Sequence, residues 1–337
     1  MKNKFKIGLF GTGLDTYWGQ FEGLLDKLIS YQSEIKEKME SIADVTVINA
    51  GMVDNPAKAL DAASLFAKEE VELVFLYVST YCLSSTILPV AQRLNCPIVV
   101  LNLQPVSAIN YSYINSLDDR GKMTGYWLEH CQACSIPEIT NVFNRSGLRY
   151  DIVTGYLKDN LAWQKIEQWI NAAYVHHRMN NNRLGILGHY YCGMLDVYTD
   201  LTLQSAVFGT HMEILEMCEL KKYRDEATSE EIGEKIEEFN INFDIIPQCE
   251  EYEVTRAAKT SVALDKLVEK HNLGSMAYYY EGTTGSDYED IVTSVIAGNT
   301  LLTGKNIPIA GECEVKNAQA MKILSLLNAG GSFSEFY

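Results

Sequence analysis

The chain has 337 residues, which is enough for two or three domains with sizeable hydrophobic cores. Lys and Arg number 28 and Asp and Glu number 44, so the formal net charge is −16. This acidic excess argues against a surface that neutralises nucleic-acid phosphates or binds anionic lipid. The hydrophobic content of 47% and the charged content of 21% are globular values and exclude a largely disordered chain.

The sequence predicts no targeting or membrane segment. The basic start is followed by an apolar run at residues 7–10, which is far shorter than the core of a signal peptide. No stretch contains the roughly 18 apolar residues that a membrane-spanning helix needs. We therefore expect a soluble cytoplasmic protein that binds neither nucleic acid nor membrane.

The first hundred residues alternate between short apolar runs and helical patterns. The runs are rich in β-branched residues and are typical of strands that are buried on both faces. Strand and helix alternating at this spacing predict an open, mostly parallel sheet with helices on both sides. The predicted strands are 5–10, 45–49, 72–78 and 97–103, and the predicted helices are 18–40, 56–68 and 84–94.

The carboxyl ends of such strands meet at one edge of the sheet, where ligands usually bind. The edge segments predicted here are 11–19, 51–55, 79–85 and 102–107. The first segment contains Gly11, Gly13 and Gly19 but does not match the G-x-G-x-x-G dinucleotide pattern, and it carries Asp15. A phosphate would meet a carboxylate there, so a polar-ligand or interface loop is the better interpretation.

A second unit of the same kind is expected in the rest of the chain. Residues 121–178 are mainly helical in pattern, with one predicted strand at 150–157, and the polar run 180–182 indicates a boundary. The predicted fold is two open, mostly parallel-sheet α/β domains, at 1–180 and 181–330. The second contains predicted strands at 183–187, 277–280 and 307–310 and predicted helices at 201–208, 214–222, 229–239 and 251–270.

Two clusters of reactive residues have ordinary structural explanations. The many carboxylates between 225 and 253 fall on helical surfaces beside Lys235, so a solvated face is more consistent with them than a metal site. Cys131 and Cys134 form a C-x-x-C pair, which could be a redox pair or half of a zinc site. Because the sequence has no second such pair and no paired His at ligand spacing, a structural role is the better prediction.

The closing residues carry the clearest chemical signal. Glu312 lies on a turn between a predicted strand and a patterned helix, where a carboxylate can meet a ligand or cation, or cap the helix. Gly330 is predicted to end that helix. The helix is expected to bury one face, formed by Ala318, Met321, Leu324 and Leu327.

Glu335 is a second carboxylate, in an aromatic setting. It lies among Phe333, Phe336 and Tyr337, and desolvation there should raise its pKa unless a cation compensates. Together with Glu312 it could bind metal or move a proton between adjacent carbons. The intervening helix leads roughly 20 Å away, so the two carboxylates converge only if the chain turns back.

This closing region resembles the metal-site region of the L-arabinose isomerases, in the arabinose/fucose isomerase superfamily. The resemblance is carried by G-E-C-E-V-K-N-A-Q-A-M-K-I-L at 311–324 and by G-G-S-F-S-E-F-Y at 330–337. It extends over essentially the whole chain, with weaker similarity in the loop 11–19, in the segment 127–130 and in the loop 188–196. The resemblance implies that 1–180 and 181–330 are the family's N-terminal and middle domains, and that 331–337 begin a third domain.

The resemblance also implies a function: a metal-dependent aldose–ketose isomerase that uses manganese and an enediol intermediate. Glu312 and Glu335 correspond to the two glutamates that bind the metal and act as acid/base groups. Since the family's active sites lie at subunit interfaces, a homo-oligomer with shared sites is expected, with a histidine supplied by a neighbouring subunit. The implied sugar-binding residues are Leu14, Tyr17, His130, Met194 and Tyr337.

The chain departs from the family in three places, the first of which is that the segment around His130 lacks the family's flanking glycines. Leu14, Asp15, Thr16 and Tyr17 replace the glutamine region of the first loop. The family's two metal-binding histidines follow the second glutamate, whereas this sequence ends two residues after Glu335. These departures support an alternative, a non-catalytic sugar-binding or regulatory protein on the same scaffold; a dehydrogenase is a more distant one.

Other candidate residues have two interpretations each. His189, Tyr280 and Glu281 follow predicted strands and could reach a ligand, but the tyrosine is equally consistent with aromatic core. His176 and His177 lie at a predicted helix end, where a cation favours the helix dipole, so a structural role is the better prediction.

Overall fold

A computed structural model describes residues 5–42 and 45–334 of the chain. It divides the chain into two compact units, Met1–Tyr174 (unit 1) and Val175–Tyr337 (unit 2), where the sequence predicts a boundary at 180. Each unit is built on a sheet whose described strand pairs are all parallel. The predicted fold class, two α/β domains with parallel sheets, is therefore confirmed.

Unit 1 contains a five-stranded sheet in the order β2-β1-β3-β4-β5. The strands β2 and β3 lie on opposite sides of β1, so the order in which strands are added to the sheet reverses there. The crevice at such a point is the usual ligand site of an open α/β sheet. The strands are β1 (Lys6–Thr12), β2 (Thr46–Val53), β3 (Val74–Val78), β4 (Ile98–Gln104) and β5 (Tyr150–Tyr156). The helices are α1 (Leu24–Glu40), α2 (Pro56–Glu69), α3 (Ser84–Ala91), α4 (Tyr111–Ser116), α5 (Arg120–Glu129) and α6 (Ile136–Arg145), followed by α7 (Asn160–Asn180), whose last six residues belong to unit 2.

The middle strand β3 shows why this sequence forms a two-sided sheet. All five of its residues are buried, and alternate side chains enter the two hydrophobic cores on opposite faces. Phe75 and Tyr77 pack in one core, and Leu76 packs in the other. A strand that is covered on both faces needs a continuous apolar run, and this is the pattern from which the sequence predicts it.

Unit 2 contains a four-stranded sheet in the order β7-β6-β8-β9. Its carboxyl edge is formed by the residues that follow β6, β8 and β9. The strands are β6 (Arg183–Gly188), β7 (His211–Leu215), β8 (Ser275–Tyr279) and β9 (Ile309–Ala310). The helices are α8 (Leu201–Phe208), α9 (Met217–Asp225), α10 (Ser229–Asn242), α11 (Glu251–His271), α12 (Asp287–Val292), α13 (Ile296–Gly304) and α14 (Val315–Leu326).

Two predicted helices are wrong at their starts. Residues 214–222 are predicted as one helix, but the structure has the edge strand β7 up to Leu215 and then helix α9 from Met217. The predicted helix 18–40 begins only at Leu24, after a short 3-10 turn, Asp15–Tyr17. In both places the helical pattern of apolar residues starts before the helix itself. The first residues of the pattern are held in another conformation, by strand pairing at 211–215 and by a 3-10 turn at 15–17.

The end of α14 also differs from the prediction. Asn328 takes the left-handed conformation directly after the helix, with φ of 56°, two residues before Gly330, whose φ of 70° is also positive. The N–H of Asn328 donates to Ser325 O and that of Ala329 donates to Leu324 O, which is the bond pattern of a Schellman cap. The predicted buried face is correct for Ala318 and Met321 and wrong for Leu324 and Leu327, each of which is 43% exposed.

Within the described residues, the structure has no helix that is both long enough and apolar enough to cross a membrane.

Candidate functional site

Glu312 lies at the carboxyl edge of the unit 2 sheet, two residues after β9 ends. Glu312 and Cys313 both have φ of 54°, a left-handed conformation that side chains other than glycine rarely adopt. Backbone bonds hold the turn: Cys313 N donates to Tyr278 O at 2.9 Å, and Glu314 N donates to Gly311 O at 2.9 Å. Strained backbone of this kind is concentrated at functional sites, where the surrounding structure enforces it.

Two tyrosines of β8 lie within the electrostatic reach of the Glu312 carboxylate. Burial raises the pKa of Tyr278, and the negative charge of Glu312 raises it further. The pKa of Tyr279 is raised by burial first and then by Glu281, by Tyr191 and by Glu312. Both phenols therefore stay protonated at neutral pH and can donate hydrogen bonds beside a carboxylate.

The loop that follows β6 contacts the Glu312 turn. Tyr191 N donates to Glu312 O at 3.4 Å, and Lys316 Nζ donates to Asp196 O. Met194 lies between these two contacts, is half-buried, and donates from its N–H to Tyr191 O at 3.4 Å. The structure thus brings two of the predicted site residues, Glu312 and Met194, to one edge of one sheet.

Aromatic rings cover the same edge. The rings of Tyr191 and Tyr279 lie 4.7 Å apart, and the ring of His189 lies 5.6 Å from Tyr279 and 5.7 Å from Tyr280. His189 and Glu281 are exposed, and Tyr191 is 39% exposed. The sequence leaves open whether these residues reach a ligand, and the structure places them at the carboxyl edge that also carries Glu312, with His189 and Tyr191 exposed.

The segment after α14 turns back to this edge. Phe333 packs in the core cluster that contains Ala310, Cys313 and Met321. A Cβ added to Gly311 would lie 2.8 Å from Cε1 of Phe333. The chain therefore returns to the Glu312 turn two residues before Glu335, while Glu335 and Tyr337 themselves lie outside the described residues.

The carboxylate of Glu312 is a donor of the type that hard divalent cations such as manganese prefer. Of the two predicted metal ligands, it is the one that falls within the described residues. In residues 5–42 and 45–334, no group of three or more His, Cys, Asp or Glu side chains converges to hold a metal ion. A metal centre at Glu312 therefore needs Glu335 and donors from outside this part of the chain.

The first-loop candidates, Leu14 and Tyr17, lie at the carboxyl edge of the unit 1 sheet. Leu14 precedes the 3-10 turn that follows β1, and Tyr17 N donates to Leu14 O at 3.0 Å. The Tyr17 ring packs in a cluster that includes Leu128 and Cys131. Its loop therefore lies beside the segment that carries His130.

His130 ends α5 and is held within unit 1. Its side chain is only 6% exposed, and its Nδ1 lies 2.8 Å from Tyr126 O. The ring lies against that of Tyr126, with centroids 4.4 Å apart. Of the remaining histidines, His176 contacts Asn180 at 3.3 Å and His177 is buried, both in the last turns of α7, as the structural interpretation predicts.

The indole of Trp18 packs against the glycine loop that follows β1. A Cβ added to Gly13 would lie 2.7 Å from Cη2 of Trp18, so glycine is required for the indole to fold onto the loop. The indole Nε1 donates to Asp54 Oδ2 at 2.8 Å, and Lys58 Nζ donates to the same oxygen at 2.7 Å. Asp54 is 2% exposed. It lies in the predicted edge segment 51–55, but the sequence does not single it out.

A second buried group that sequence reasoning misses is Gln132. Its Nε2 donates to Ser79 O at 2.9 Å and to Glu129 O at 2.8 Å, which ties the end of α5 to the segment after β3. Ser79 Oγ in turn donates to Thr12 O. Spacing along the chain gives no signal for such contacts, because the three segments are distant in sequence.

The C-x-x-C pair is asymmetric. Cys131 is buried and Cys134 is exposed. Burial, and secondarily the neighbouring Cys134, raises the pKa of the Cys131 thiol to about 12. A thiol with that pKa is protonated at neutral pH and is a poor nucleophile, which supports the structural interpretation.

Carboxylates of the acidic stretch between 225 and 253 form ion pairs with lysines. Glu231 pairs with Lys266 at 2.7 Å, and Glu238 pairs with Lys235 at 2.5 Å and with Lys305 at 2.6 Å. Lys235 is nearly buried and also contacts Asp265 at 2.5 Å. These contacts are consistent with a charged helical face and not with a cation site.

Comparison with known proteins adds little to this geometry. The sequence matches no known family and no curated protein. Among solved structures, the chain is similar to SuiB from Streptococcus suis at 9% sequence identity and a TM-score of 0.22, over 64% of this chain and 50% of that one. At so low a TM-score the similarity carries no argument about fold or function.

Proposed function

We propose that this chain carries the metal-dependent sugar-isomerase site of an L-arabinose isomerase-like protein, acting on an unphosphorylated aldose. The observation that supports the proposal most strongly is the Glu312 turn. A half-buried carboxylate lies at the carboxyl edge of a parallel sheet, on strained backbone, beside two protonated tyrosines. The chain segment that leads to Glu335 packs against the same turn.

In this proposal Glu312 and Glu335 have the same two functions. Both would hold the divalent metal, manganese, which would supply polarisation of the sugar oxygens. One carboxylate removes the proton from C2 of the aldose, and an enediol forms as the C1 carbonyl oxygen gains a proton. Return of a proton to C1 and loss of the C2 hydroxyl proton give the ketose, so no external oxidant or reductant is needed.

The neighbouring residues would bind and orient the sugar. The rings of Tyr191 and Tyr279 offer apolar faces to the C–H surface of a sugar, and Met194 supplies a flexible apolar contact on the same loop. The proposal assigns Leu14, Tyr17 and His130 of unit 1 and Tyr337 to sugar binding as well. It includes a homo-oligomer in which a neighbouring copy contributes His130.

A non-catalytic sugar-binding or regulatory protein is the second candidate. It is favoured by the exposed aromatic rings at the edge of unit 2, because ring stacking binds a sugar without any metal. The two candidates differ in one measurable respect: the isomerase proposal requires metal and sugar to bind at the same carboxylate.

Calorimetric titration of the purified chain with MnCl2, and with aldoses in the presence and absence of Mn²⁺, tests the proposal. We expect Mn²⁺ to bind and to strengthen aldose binding, and Glu312→Gln to weaken Mn²⁺ binding by at least about tenfold. Glu314→Gln is the matched control. Glu314 is two residues away and similarly shielded, at 14% side-chain exposure, and its variant should bind Mn²⁺ within about twofold of the wild type.

The other outcomes of the titration contradict the metal site or favour the sugar-binding protein. Equal Mn²⁺ affinity in the wild type and in Glu312→Gln contradicts the metal site, and sugar binding that is indifferent to Mn²⁺ supports the binding protein. Conversion of aldose to ketose is followed in the same samples by NMR. Conversion that survives Glu312→Gln would also contradict the assignment.

A further inference from the structure

Unit 1 has a cleft between the first turn of α1 and helices α4 and α5. Its volume is about 470 Å³, within the usual range for small-molecule sites. We call it the α1–α5 cleft. It is lined by Gln20, Phe21, Glu22, Gly23, Leu24, Lys27, Tyr113, Leu117, Asp119, Gly121, Lys122, Gly125, Tyr126 and Glu129.

Three aromatic rings line the cleft. Tyr113 and Tyr126 lie 5.0 Å apart, and the other neighbour of Tyr126 is His130, so the Tyr126 ring is fixed in place by stacking. Tyr113 is 48% exposed, although it is a large aromatic side chain. Phe21 lines the opposite wall, where Gly125 leaves room: a Cβ on that glycine would be only 3.4 Å from the Phe21 ring.

A buried carboxylate supplies the polar end. Glu129 is 6% exposed, and its two oxygens accept from Lys27 Nζ at 2.7 Å and from Tyr31 OH at 2.6 Å. Burial and the Glu129 carboxylate raise the pKa of Tyr31, so its hydroxyl remains a donor. The remaining lone pairs of Glu129 and the free hydrogens of Lys27, which is 57% exposed, can bond to ligand hydroxyls.

The start of helix α1 forms one end of the cleft. The helix begins after Gly23, which has φ of 76°, and within the described residues no side chain caps it. The N–H of Leu24 is not a spare donor, because it donates to Phe21 O at 3.2 Å. Gly23 and Leu24 line the cleft, and a Cβ on Gly23 would meet nothing within 4 Å, so this end is open.

The charges of the cleft largely neutralise one another. Glu129 is paired with Lys27, and Asp119 is used to cap α5 through a bond from Lys122 N at 2.8 Å. Glu22 and Lys122 are exposed and opposite in sign. A site with so little net charge selects neither a phosphate nor a cation. It offers flat apolar faces next to both donors and acceptors, which matches a ring with C–H faces and a hydroxyl edge.

We propose that the α1–α5 cleft binds an uncharged polyhydroxylated ring, a free sugar, stacked on Tyr113 and Tyr126 with its hydroxyls bonded to Glu129 and Lys27. This site lies wholly in unit 1 and uses neither metal nor Glu312. It adjoins two residues assigned above to the isomerase's sugar site, because the Phe21 ring lies 5.9 Å from that of Tyr17 and the Tyr126 ring lies 4.4 Å from that of His130. The absence of metal and the Glu312 variant therefore separate the two sites in the test.

The test is titration of the full chain in EDTA with L-arabinose, D-galactose and maltose, followed by saturation-transfer NMR and calorimetry. We expect at least one sugar to bind, and Tyr113→Ala to weaken that binding at least about fivefold. Tyr111→Ala is the matched control, since Tyr111 is on the same short helix and is 67% exposed but does not line the cleft. It should leave binding unchanged.

Two further variants complete the experiment. Gly125→Leu places a side chain into the cleft from a helical position and should abolish binding. Glu312→Gln should leave binding in EDTA unchanged, so failure of this proposal is distinguishable from failure of the isomerase. Two results overturn the proposal: no binding of any of the three sugars, or equal binding by Tyr113→Ala and the wild type.

Discussion

The ring of Phe333 lies against the backbone of Gly311, so closely that a Cβ on the glycine would be 2.8 Å from Cε1 of the ring. Gly311 is the residue immediately before Glu312, and Phe333 is two residues before Glu335. The helix α14 lies between them in sequence and carries the chain away. The contact shows that the turn after α14 returns the chain to its starting edge, as convergence of the two carboxylates requires.

Gly311→Ala tests this contact. Because the added methyl group would overlap the Phe333 ring, we expect the tail to be displaced and the free energy of unfolding to fall by about 1–3 kcal/mol. Urea denaturation measures the change. Gly331→Ala is the control, since its Cβ would lie at an ordinary 3.5 Å from Met321 and should cost less than about 0.5 kcal/mol. Equal stability of the two variants would show that Phe333 does not occupy this position.

Asp54 is expected to anchor the first loop of unit 1. It is 2% exposed and accepts from Trp18 Nε1 and Lys58 Nζ, so Asp54→Ala leaves the N–H of the half-buried Trp18 indole without this partner. We expect a loss of about 2–4 kcal/mol in unfolding free energy and a shift in tryptophan fluorescence. Asp61→Ala, an exposed position on α2, should change neither quantity. An unshifted spectrum in Asp54→Ala would contradict the Trp18–Asp54 bond.

Lys322 should make the stability of unit 2 depend on pH. Burial, and secondarily Arg178, lowers the pKa of Lys322 from 10.5 to about 8, while its Nζ donates to Asn306 O at 2.9 Å. Between pH 8 and 10.5 the unfolded chain binds more protons than the folded chain at this residue. The unfolding free energy attributable to Lys322 therefore rises with pH across that window and is lowest below pH 8.

Lys322→Met removes this dependence. We expect the variant to be more stable than the wild type at pH 7, by about 1–3 kcal/mol, and the difference to shrink as pH rises from 8 to 10.5. Denaturation curves at half-unit pH intervals measure the difference. Lys316→Met, at a position with 45% side-chain exposure, provides the comparison and should show no such trend. A difference that is constant with pH would show that Lys322 is not desolvated.

The two cysteines of the C-x-x-C pair should react very differently. Cys134 is exposed, whereas Cys131 is buried and its pKa is raised to about 12. With iodoacetamide at pH 7.5, we expect Cys134 to be alkylated at least about a hundredfold faster than Cys131, because the thiolate is the reactive form. Peptide mass spectrometry measures both rates. Rapid formation of a Cys131–Cys134 disulfide under mild oxidation would instead indicate a redox pair.

The central strands of unit 1 could be predicted from the sequence nearly to the residue. The runs at 72–78 and 97–103 correspond to β3 and β4, because strands buried on both faces require continuous apolar sequence. The edge strand β7 could not be found this way. Only Leu215 of its five residues is buried, Ile214 is 61% exposed, and its strand identity comes from pairing with β6, a segment more than twenty residues earlier.

In the candidate site, too, some features could be predicted from local sequence and others depend on tertiary contacts. The position of Glu312 after a strand and before a helix is readable from the local pattern, and so is the expectation that it lies at the carboxyl edge. Its left-handed backbone is not readable, because it depends on the bond from Cys313 N to Tyr278 O on another strand. The anchor at Asp54 is likewise formed by groups that come together only in the folded unit.

The sequence by itself therefore determined the class of the fold, the buried central strands of unit 1 and the turn that carries Glu312, since each is encoded by short-range periodicity and by the order of elements. Only the tertiary structure decided that Phe333 lies on Gly311, that Met194 shares the Glu312 edge and that a cleft opens between α1 and α5. These relationships join residues far apart in sequence. They depend on loop closure and packing of the whole unit, on which no local pattern carries information.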